Sequence, residues 1–447
     1  MISRCSLISL LILSLLQTQA LSKPYETTPN IIPVKDPDNI LLTFGSCNAF
    51  IGDEPSDIFN RVAELHPDVW VWLGDVSYID VESLPPRFKF RGEDFARDKF
   101  NIAKNNPNYK RLRESTKVIG VWDDHDYGLN NAGKGFHDKE TTRRLWLDFI
   151  DEPKNSPRRT RKGGIYESYY LGDAKKVKVI LIDNRWARED PWFLNLGAND
   201  LLGPEQWEWL ENEFKENQAE YILIGSGVQV LADDRILPER WFKQSKDRLI
   251  GLIRKYKLSG VIFLSGDVHF AEIMKYPCKE RIGFELYEFT SSGLTHYTSS
   301  HVPLVHNIIG EIYPKTYSEP SDRFFERNFG AIHFKFGGNT SSVKLEARSY
   351  YGVPTLERQI SYSDLTFDEA IINDNSTCIV DTPNYQRFWK HIFEEILQGN
   401  KYVYLGLFIV VWTIALVIFI VKSFVNILSF VFRKIFGKKS AKKLKHD

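Results

Sequence analysis

Apolar, β-branched runs recur along the chain, and each stops abruptly at Gly, Ser, Asp or His. The runs are ILLTFGSCN, VWVWLGDVSY, VIGVWDDHD, VKVILIDNR, YILIGSGVQV and VIFLSGDVH. Continuous apolar runs of this length are typical of strands that are buried on both faces. Amphipathic helical stretches lie between several of them, namely SDIFNRVAELH, GPEQWEWLENEFKEN and KQSKDRLIGLIRKY. This alternation of strands and helices predicts an α/β fold.

Two later segments have a different pattern. FGAIHFKF and SSVKLEARSYY alternate apolar and polar residues with a period of two, so they are predicted to be antiparallel strands of a second sheet. Residues 21–385 contain no low-complexity linker, internal repeat or charge block, which predicts one large domain. In open α/β sheets the ligand site lies beyond the carboxyl ends of the strands, where the apolar runs place their polar residues.

The two ends of the chain predict passage through the secretory pathway. Residues 1–20 have a basic start, a short apolar core and small residues near a cut site, so they are predicted to be a signal peptide rather than a short membrane anchor. The uncharged segment 402–421 is long enough for one transmembrane helix, and 386–401 is predicted to be a juxtamembrane helix. Residues 422–447 form a basic tail, which places the tail in the cytosol and the large domain in the lumen.

Charge is distributed unevenly, although 58 basic residues balance 58 acidic ones. The tail from Lys422 holds eight basic residues and one acidic residue, which leaves the lumenal part near −8. That balance argues against a nucleic-acid partner, which would require a basic face. The final KLKHD resembles the dilysine signal by which coat proteins return type I membrane proteins to the endoplasmic reticulum. Lysine-rich tails also match this signal by chance.

The cysteines and glycosylation sequons also fit an oxidising compartment. Cys47, Cys278 and Cys378 follow the signal peptide, and any single disulfide leaves one of the three thiols over. We predict that Cys278 pairs with Cys378, because Cys47 lies in a strand-end motif. The sequons at Asn339 and Asn375 predict glycosylation, although such triplets are common by chance.

The segment VIGVWDDHD raises an electrostatic problem. Asp123, Asp124 and Asp126 crowd around His125, and no basic residue follows before Lys134. Like charges this close repel each other, so the carboxylates either face open water or surround a cation.

Three other strand ends carry groups that bind metal ions. GDVSY supplies Asp75 and Tyr78, and GDVH supplies Asp267 and His269, which face one side if the segment is extended. GSCN supplies Cys47, whose thiolate binds transition metals. Each motif alone is more often a turn, a packed ring, a core histidine or a small hydrophobic cysteine. Their joint occurrence at successive strand ends is what favours a metal site.

The ordered set GSC, GDxxY, WDDHD, IDNRW, SGDVH and TSSGLTH resembles the PhoD-like alkaline phosphatase D family of metallophosphoesterases, from about Leu41 to Leu365. The resemblance implies an α/β four-layer sandwich, in which two central mixed sheets are flanked by helices. It also implies a phosphate-ester substrate and a multinuclear centre of iron and calcium.

Matched residue by residue, the resemblance implies that Cys47, Asp75, Tyr78 and His269 are ligands of the iron-type metal. Asp75 would bridge to a second metal.

The second metal would be bound by Asp124 and Asp267, with Asn131 as a further ligand. Asp124 also belongs to the implied catalytic set. Many metallophosphoesterases have a histidine ligand in the fourth block, where this chain has GSGVQV, and Gln229 is the nearest substitute.

The remaining implied roles concern the phosphoryl group. His125 would assist departure of the leaving oxygen, and Asp126 and Asp123 would either orient it or make structural hydrogen bonds. Arg185 would bind phosphate and take part in catalysis, and Arg188 is a second candidate for substrate binding.

The reaction class leaves alternatives open. The sequence does not separate a monoesterase from a phosphodiesterase or a phospholipase that acts on lipid or glycan phosphates. A non-catalytic lumenal binding protein that keeps the fold is the alternative from another class, and loss of ligand residues would distinguish it.

Overall fold

The structure is a computed structural model of the chain. It describes residues 29–49, 57–81, 88–189, 200–232, 240–298, 317–318, 322–337, 341–378, 381–382, 384–397 and 399–440. The predicted signal peptide at 1–20, the sequon at Asn339 and the terminal KLKHD lie outside the described residues.

The strands alternate with helices along the first half of the chain, as the apolar runs predict. In chain order the described strands are β1 Ile31–Ile32, β2 Asn39–Gly45, β3 Val69–Leu73, β4 Lys117–Val121, β5 Glu167–Leu171, β6 Val177–Leu181, β7 Tyr221–Ser226, β8 Val261–Ser265, β9 Ala271–Lys275, β10 Tyr287–Ser291, β11 Arg323–Phe324, β12 Asn328–Lys335, β13 Ser342–Ser349 and β14 Pro354–Ser361. The described α-helices are α1 Ile58–Glu64, α2 Glu93–Asn105, α3 Pro107–Ser115, α4 Asp124–Tyr127, α5 Lys139–Phe149, α6 Gly203–Lys215, α7 Lys243–Lys255, α8 Asn384–Leu397 and α9 Lys401–Ser440.

These strands form two mixed sheets. The larger sheet has eight strands in the order β1-β5-β6-β7-β8-β10-β9-β11, and the smaller has six in the order β14-β13-β12-β2-β3-β4. In the smaller sheet β2, β3 and β4 are parallel. The predicted antiparallel strands β12 and β13 complete that sheet by pairing beside β2. All six apolar runs form buried parallel strands, three in each sheet.

The two sheets pack face to face. The rings of Phe44 in β2 and Phe289 in β10 meet edge to face with their centres 5.0 Å apart. A Cβ atom added to Gly225 in β7 would lie 2.8 Å from Leu73 in β3, so the sheets touch closely at this point. This contact brings the carboxyl ends of strands from both sheets to one edge of the sandwich.

Helices cover the outer face of each sheet. Alternate residues of β3 point away from the other sheet, and the rings of Trp70 and Trp72 lie 6.1 and 5.9 Å from that of Phe59 in α1. On the other side, α6 and α7 place Trp207 and Leu249 in a buried cluster with residues of β6, β7 and β8. The fold is therefore the predicted four-layer α/β sandwich, helix, sheet, sheet, helix.

The C-terminal region adds two helices to the sandwich. Helix α8 begins two residues before the predicted juxtamembrane helix and ends at Leu397. Helix α9 contains the segment Val403–Phe424, which is long and apolar enough to cross a membrane. A disulfide joins Cys278 to Cys378, the pair that the sequence predicted, with their Cα atoms 6.0 Å apart, and Cys47 is a buried free thiol.

Candidate active site

The candidate site lies where strand ends from both sheets meet. Cys47 follows β2, Asp75 follows β3, and Asp124 opens the short helix after β4. From the other sheet, Asp267 and His269 follow β8. Parallel strands that stop at one edge of a sheet place the residues after them in one crevice.

Backbone conformation at these positions is unusual for residues with side chains. Within the described residues, nine non-glycine residues have positive φ, and more than half of them are predicted ligands. The predicted ligands concerned are Cys47, Asp75, Asn131, Asp267 and His269, with φ between 53° and 73°. The left-handed region costs free energy for such residues and is retained at sites where the surroundings require it.

Gly74 explains the sharp turn before Asp75. Its φ is +90°, and a Cβ atom on it would lie 2.2 Å from the Cβ of Asp123. The backbone of the GDVSY loop thus passes directly against the WDDHD segment, which only glycine allows here. This close approach brings the two motifs into one site.

The donor atoms form overlapping clusters. Ligand atoms within 4.8 Å of one another come from three groups, namely Cys47–Asp75–His269, Asp75–Asp124–His125 and Asp75–Asp123–Asp124–Asp267. Asp75 belongs to all three groups. A carboxylate in this position is placed to bridge two cations, one on the cysteine side and one among the aspartates.

The cysteine side contains sulfur, oxygen and nitrogen donors. The Sγ atom of Cys47 lies 3.5 Å from Oδ2 of Asp75 and 3.1 Å from Oγ of Ser292. The hydroxyl group of Tyr78 lies 3.4 Å from both Asp75 Oδ2 and His269 Nε2. The structure therefore brings together all four predicted ligands of the iron-type metal.

The aspartate side contains oxygen donors. Asp124 Oδ2 accepts a hydrogen bond of 2.6 Å from the backbone N–H of Asn131. The side-chain Oδ1 atom of Asn131 is buried and has no hydrogen-bond partner among the described residues. An unpaired carbonyl oxygen beside a carboxylate suits a hard cation, so the environment of Asn131 fits its predicted role.

Arg185 lies at the base of this cluster and is fully buried. Its Nε atom donates a 2.5 Å hydrogen bond to Asp123 Oδ1, and its Nη2 atom lies 3.9 Å from Asp124 Oδ2. Neither Nη atom has a hydrogen-bond partner among the described residues. These two donors are the ones that remain for a phosphoryl oxygen.

The carboxylate that orients His125 is not one of those proposed from the sequence. Nδ1 of His125 lies 2.8 Å from Oδ1 of Asp80, which is fully buried. Asp126 instead accepts the backbone N–H of Asp123 at 2.7 Å, and Asp123 is engaged by Arg185. Of the two roles that the sequence left open for Asp126 and Asp123, the structure shows structural hydrogen bonds and not the orientation of His125, because both carboxylates are used to fold the motif itself.

Two further candidate residues lie in different surroundings. Arg188 is fully buried, and its guanidinium carbon lies 5.4 Å from the centre of the Phe242 ring. Gln229 donates from Nε2 to Glu272 and Thr290 at 3.1 and 3.0 Å. The Nε2 group of Gln229 thus belongs to a polar network inside the larger sheet, while its Oε1 atom is buried and has no hydrogen-bond partner among the described residues.

The cluster holds more buried acidic groups than basic ones. Burial, reinforced by the neighbouring thiol and carboxylates, raises the pKa of Asp75 well above its usual value. Burial likewise raises the pKa of Cys47 to about 12. Burial would lower the pKa of His125, but Asp124, Asp75 and Asp80 raise it to about 10. Bound cations would relieve this accumulation, so the donor set fits a metal centre.

Sequence reasoning missed three residues at this site. Asp80 follows the GDVSY motif by two positions, Ser292 lies in TSSGLTH, and His296 ends that motif. His296 Nδ1 lies 2.9 Å from the hydroxyl group of Tyr78. TSSGLTH belongs to the motif set on which the resemblance rests, but the spacing of residues within this motif does not predict a function for His296.

Comparison with known proteins identifies the family. A model described as PhoD-like phosphatase matches residues 42–345, more than half of the chain. The chain belongs to the PhoD-like phosphatase family. It is therefore a phosphoesterase by family, and the resemblance seen in the sequence is confirmed. A comparison with curated proteins gives no match.

A solved structure shares the fold of this PhoD-like protein. One described as the structure of PhoD has a TM-score of 0.55 at 15% identity, and the match covers 85% of this chain and 79% of that chain. Another is GAP50, described as the anchor in the inner membrane complex of Plasmodium, with a TM-score of 0.39 at 13% identity, covering 78% of this chain and 94% of that chain. At such identities the first match shows a common α/β fold.

Proposed function

We propose that this protein is a metal-dependent phosphoric-ester hydrolase, anchored to a membrane by its C-terminal helix and active in the lumen. The observation that carries the proposal is the position of Asp75, whose carboxylate lies within 4.8 Å of donor atoms from both the cysteine side and the aspartate side. Family membership supplies the reaction class, and the donor set supplies the metal dependence.

The donor chemistry suggests which residues would hold each metal. Cys47, Tyr78 and His269 offer sulfur, phenol oxygen and imidazole nitrogen, which suit an iron-type ion together with Asp75. The other cation would have oxygen donors from Asp124, Asn131, Asp267 and Asp75, which suit calcium. When bound, the cations would lower the pKa of a water that attacks phosphorus and would neutralise charge on the phosphoryl oxygens.

Arg185 and His125 supply the other functions that hydrolysis needs. The hydrogen bond from Nε to Asp123 would hold the Arg185 guanidinium in place, and its Nη donors would bind the equatorial oxygens of the phosphoryl group. The Nδ1 atom of His125 is engaged by Asp80, so Nε2 is the atom left to donate a proton to the departing oxygen. A buried Asp80 carboxylate also favours the protonated ring that such a donor requires.

All the predicted ligands remain in the chain, which argues against a binding protein that has lost its chemistry. A mutually consistent set of buried, strongly perturbed acids and bases in one crevice is typical of an active site. Monoesters, diesters and lipid phosphates all remain substrates for the test below, because they share the phosphoryl group that this site would bind.

Membrane anchoring and lumenal action rest on separate observations. The segment Val403–Phe424 is long and apolar enough to span a membrane. The Cys278–Cys378 disulfide fits an oxidising compartment, and the sequon residue Asn375 is exposed close to it. With the basic tail in the cytosol, these features support a type I protein of the endoplasmic reticulum, where coat proteins would recognise KLKHD.

The test uses the full-length protein in detergent micelles, supplied with iron and calcium. Chromogenic phosphate monoesters and diesters and a phospholipid form the substrate panel. Asp75→Asn is expected to lower turnover at least about a hundredfold, because it removes the bridging carboxylate. Asp173→Asn, at an exposed position in a turn, is the matched control and should keep full activity. Equal turnover in the wild type and Asp75→Asn would show that the proposal is wrong.

A further inference from the structure

His296 touches three of the predicted ligands of the iron-type metal, although it is not one of them. Its backbone N–H donates to the carbonyl oxygen of Cys47 at 3.0 Å. Its Nδ1 atom lies 2.9 Å from the hydroxyl oxygen of Tyr78. Its ring packs on the ring of His269 with centres 3.8 Å apart. One residue thus links donors that come from three separate strand ends.

The segment around His296 is fixed at both of its ends. Leu294 N–H donates to Ser46 O at 3.2 Å, on the side of the cysteine loop. Thr298 donates to His269 O from its backbone N–H at 2.9 Å and from its hydroxyl group at 3.0 Å. The position of the His296 ring is therefore set by backbone contacts to the ligand-bearing loops.

Tyr78 is the ligand whose orientation depends most on this ring. Its hydroxyl group lies 3.4 Å from Asp75 Oδ2 and 3.4 Å from His269 Nε2, and the distance to His296 Nδ1 is shorter, at 2.9 Å. Asp75 and His269 are both predicted metal ligands, so their donor atoms are committed to the metal. Cys47, which also interacts with this hydroxyl group, is a predicted ligand as well. His296 is therefore the polar neighbour whose contact can persist when a cation is bound.

We propose that His296 is a positioning residue whose Nδ1 atom holds the Tyr78 hydroxyl group in the orientation that binds metal. The inference rests on the proposed function, since it concerns the same metal centre. Partners of this kind fix the direction of a ligand, and their loss typically weakens metal binding by about 10- to 100-fold. A ligand held in one rotamer before binding also loses less conformational entropy on binding.

The experiment measures cation binding, independently of turnover. Full-length protein stripped of metal by chelation is titrated with Co²⁺ in a calorimeter. The amide of His296→Asn occupies the place of Nδ1 and can keep the hydrogen bond to Tyr78, whereas the amide of His296→Gln lies one carbon further out. We expect near wild-type affinity for His296→Asn and a loss of about 10- to 100-fold for His296→Gln. His137→Gln, at an exposed histidine, is the control.

A second pair of variants asks whether His296 acts through Tyr78. In a Tyr78→Phe background the hydroxyl group is absent, so His296→Asn and His296→Gln should bind Co²⁺ equally well. A difference that persists in this background would overturn the inference, as would equal affinities of the two variants in the wild-type background. Wild-type protein that binds no Co²⁺ would overturn the metal-dependent function and this inference together. Thermal unfolding of each variant identifies any that fails to fold.

Discussion

Asp80 holds His125 through a 2.8 Å contact between Oδ1 and Nδ1, while its Oδ2 atom accepts the backbone N–H of Asn130 at 2.7 Å. One buried carboxylate therefore fixes both the imidazole and the loop that carries Asn131. This arrangement sets the tautomer and the direction of the ring before any substrate arrives.

Replacing Asp80 by Asn should impair departure of the leaving group. The amide no longer favours the protonated ring, so we expect kcat to fall by about 10²-fold for an alkyl phosphate. A nitrophenyl ester has a good leaving group and should lose far less. The measurement is kcat for both ester classes, with Asp173→Asn as the control. An equal loss for the two classes would show that Asp80 does not act through a proton donor.

Arg185 is expected to have two separable roles. Arg185→Lys keeps a cation beside Asp123 but loses the planar pair of Nη donors, so KM should rise about tenfold with little change in melting temperature. Arg185→Met leaves the buried Asp123 carboxylate without its cation, which should cost about 3–5 kcal/mol of stability.

Steady-state kinetics and thermal unfolding of the two Arg185 variants separate these roles. If Arg185→Lys bound substrate as tightly as the wild type, the arginine would be only a structural counter-ion.

Stability should fall in acid because of Glu346, a buried carboxylate in β13. Its carboxylate accepts from His333, Lys344 and Arg348 at 3.1, 2.7 and 2.6 Å. Burial would raise its pKa, but these partners lower it below the usual 4.5. A lowered pKa in the folded state stabilises the fold above about pH 4.5, and this stabilisation is lost as the pH falls further.

Urea unfolding at pH 7 and pH 3 tests the contribution of Glu346. Glu346→Gln should be less stable than the wild type at pH 7, and the gap should narrow at pH 3. Glu357→Gln is the matched control, since Glu357 is half exposed and shares Lys344 at 2.9 Å. A gap that stays constant with pH would contradict the assignment to this carboxylate.

Helix α8 should lie on the membrane surface. Trp389, Phe393 and Leu397 are spaced four residues apart and are 60, 62 and 71% exposed. The candidate span begins at Val403, six residues after this stripe ends, so the stripe is held close to the lipid. An exposed apolar stripe along one face is typical of helices that lie at the membrane surface, and Trp favours the lipid headgroup region.

Spin labels at Phe393→Cys and at the exposed Glu394→Cys in phosphatidylcholine nanodiscs test this orientation, because successive residues of a helix point about 100° apart. Cys47 is buried and the other two cysteines of the domain are bonded to each other, which favours labelling at the new site. The label at position 393 should collide with oxygen more than with a water-soluble nickel chelate, and the label at 394 should show the reverse. Equal exposure to nickel at both positions would place the helix in water.

The sequence predicted the sheets well, because strands buried on both faces leave continuous apolar runs. It also predicted which strand ends would contribute polar groups, since parallel strands must end at one edge. It could not predict that Asp80 rather than Asp126 meets His125. That choice depends on Asp126, whose Oδ2 atom accepts the backbone N–H of Val76 at 3.1 Å and the indole N–H of Trp146 at 3.0 Å. These partners lie 50 and 20 residues away in the sequence.

Short and irregular elements were missed for related reasons. Strand β1 has two residues, and β9 has five that include the buried Glu272, so neither leaves a long apolar run in the sequence. His296 comes 218 positions after Tyr78, and no local spacing reports a contact over that distance. The ends of α8 differ from the predicted 386–401 because helix boundaries depend on capping contacts that periodicity does not show.

The left-handed backbone at the ligand positions has an evolutionary consequence. Glycine adopts the φ of 53° at Asp75 or 73° at Asp267 without the penalty that a side chain incurs. Relief of backbone strain would therefore favour glycine at these positions, whereas selection for metal binding opposes it. Homologues of this protein that have lost catalytic activity should acquire glycine at these positions first, so that the loss of function can be recognised from their sequences.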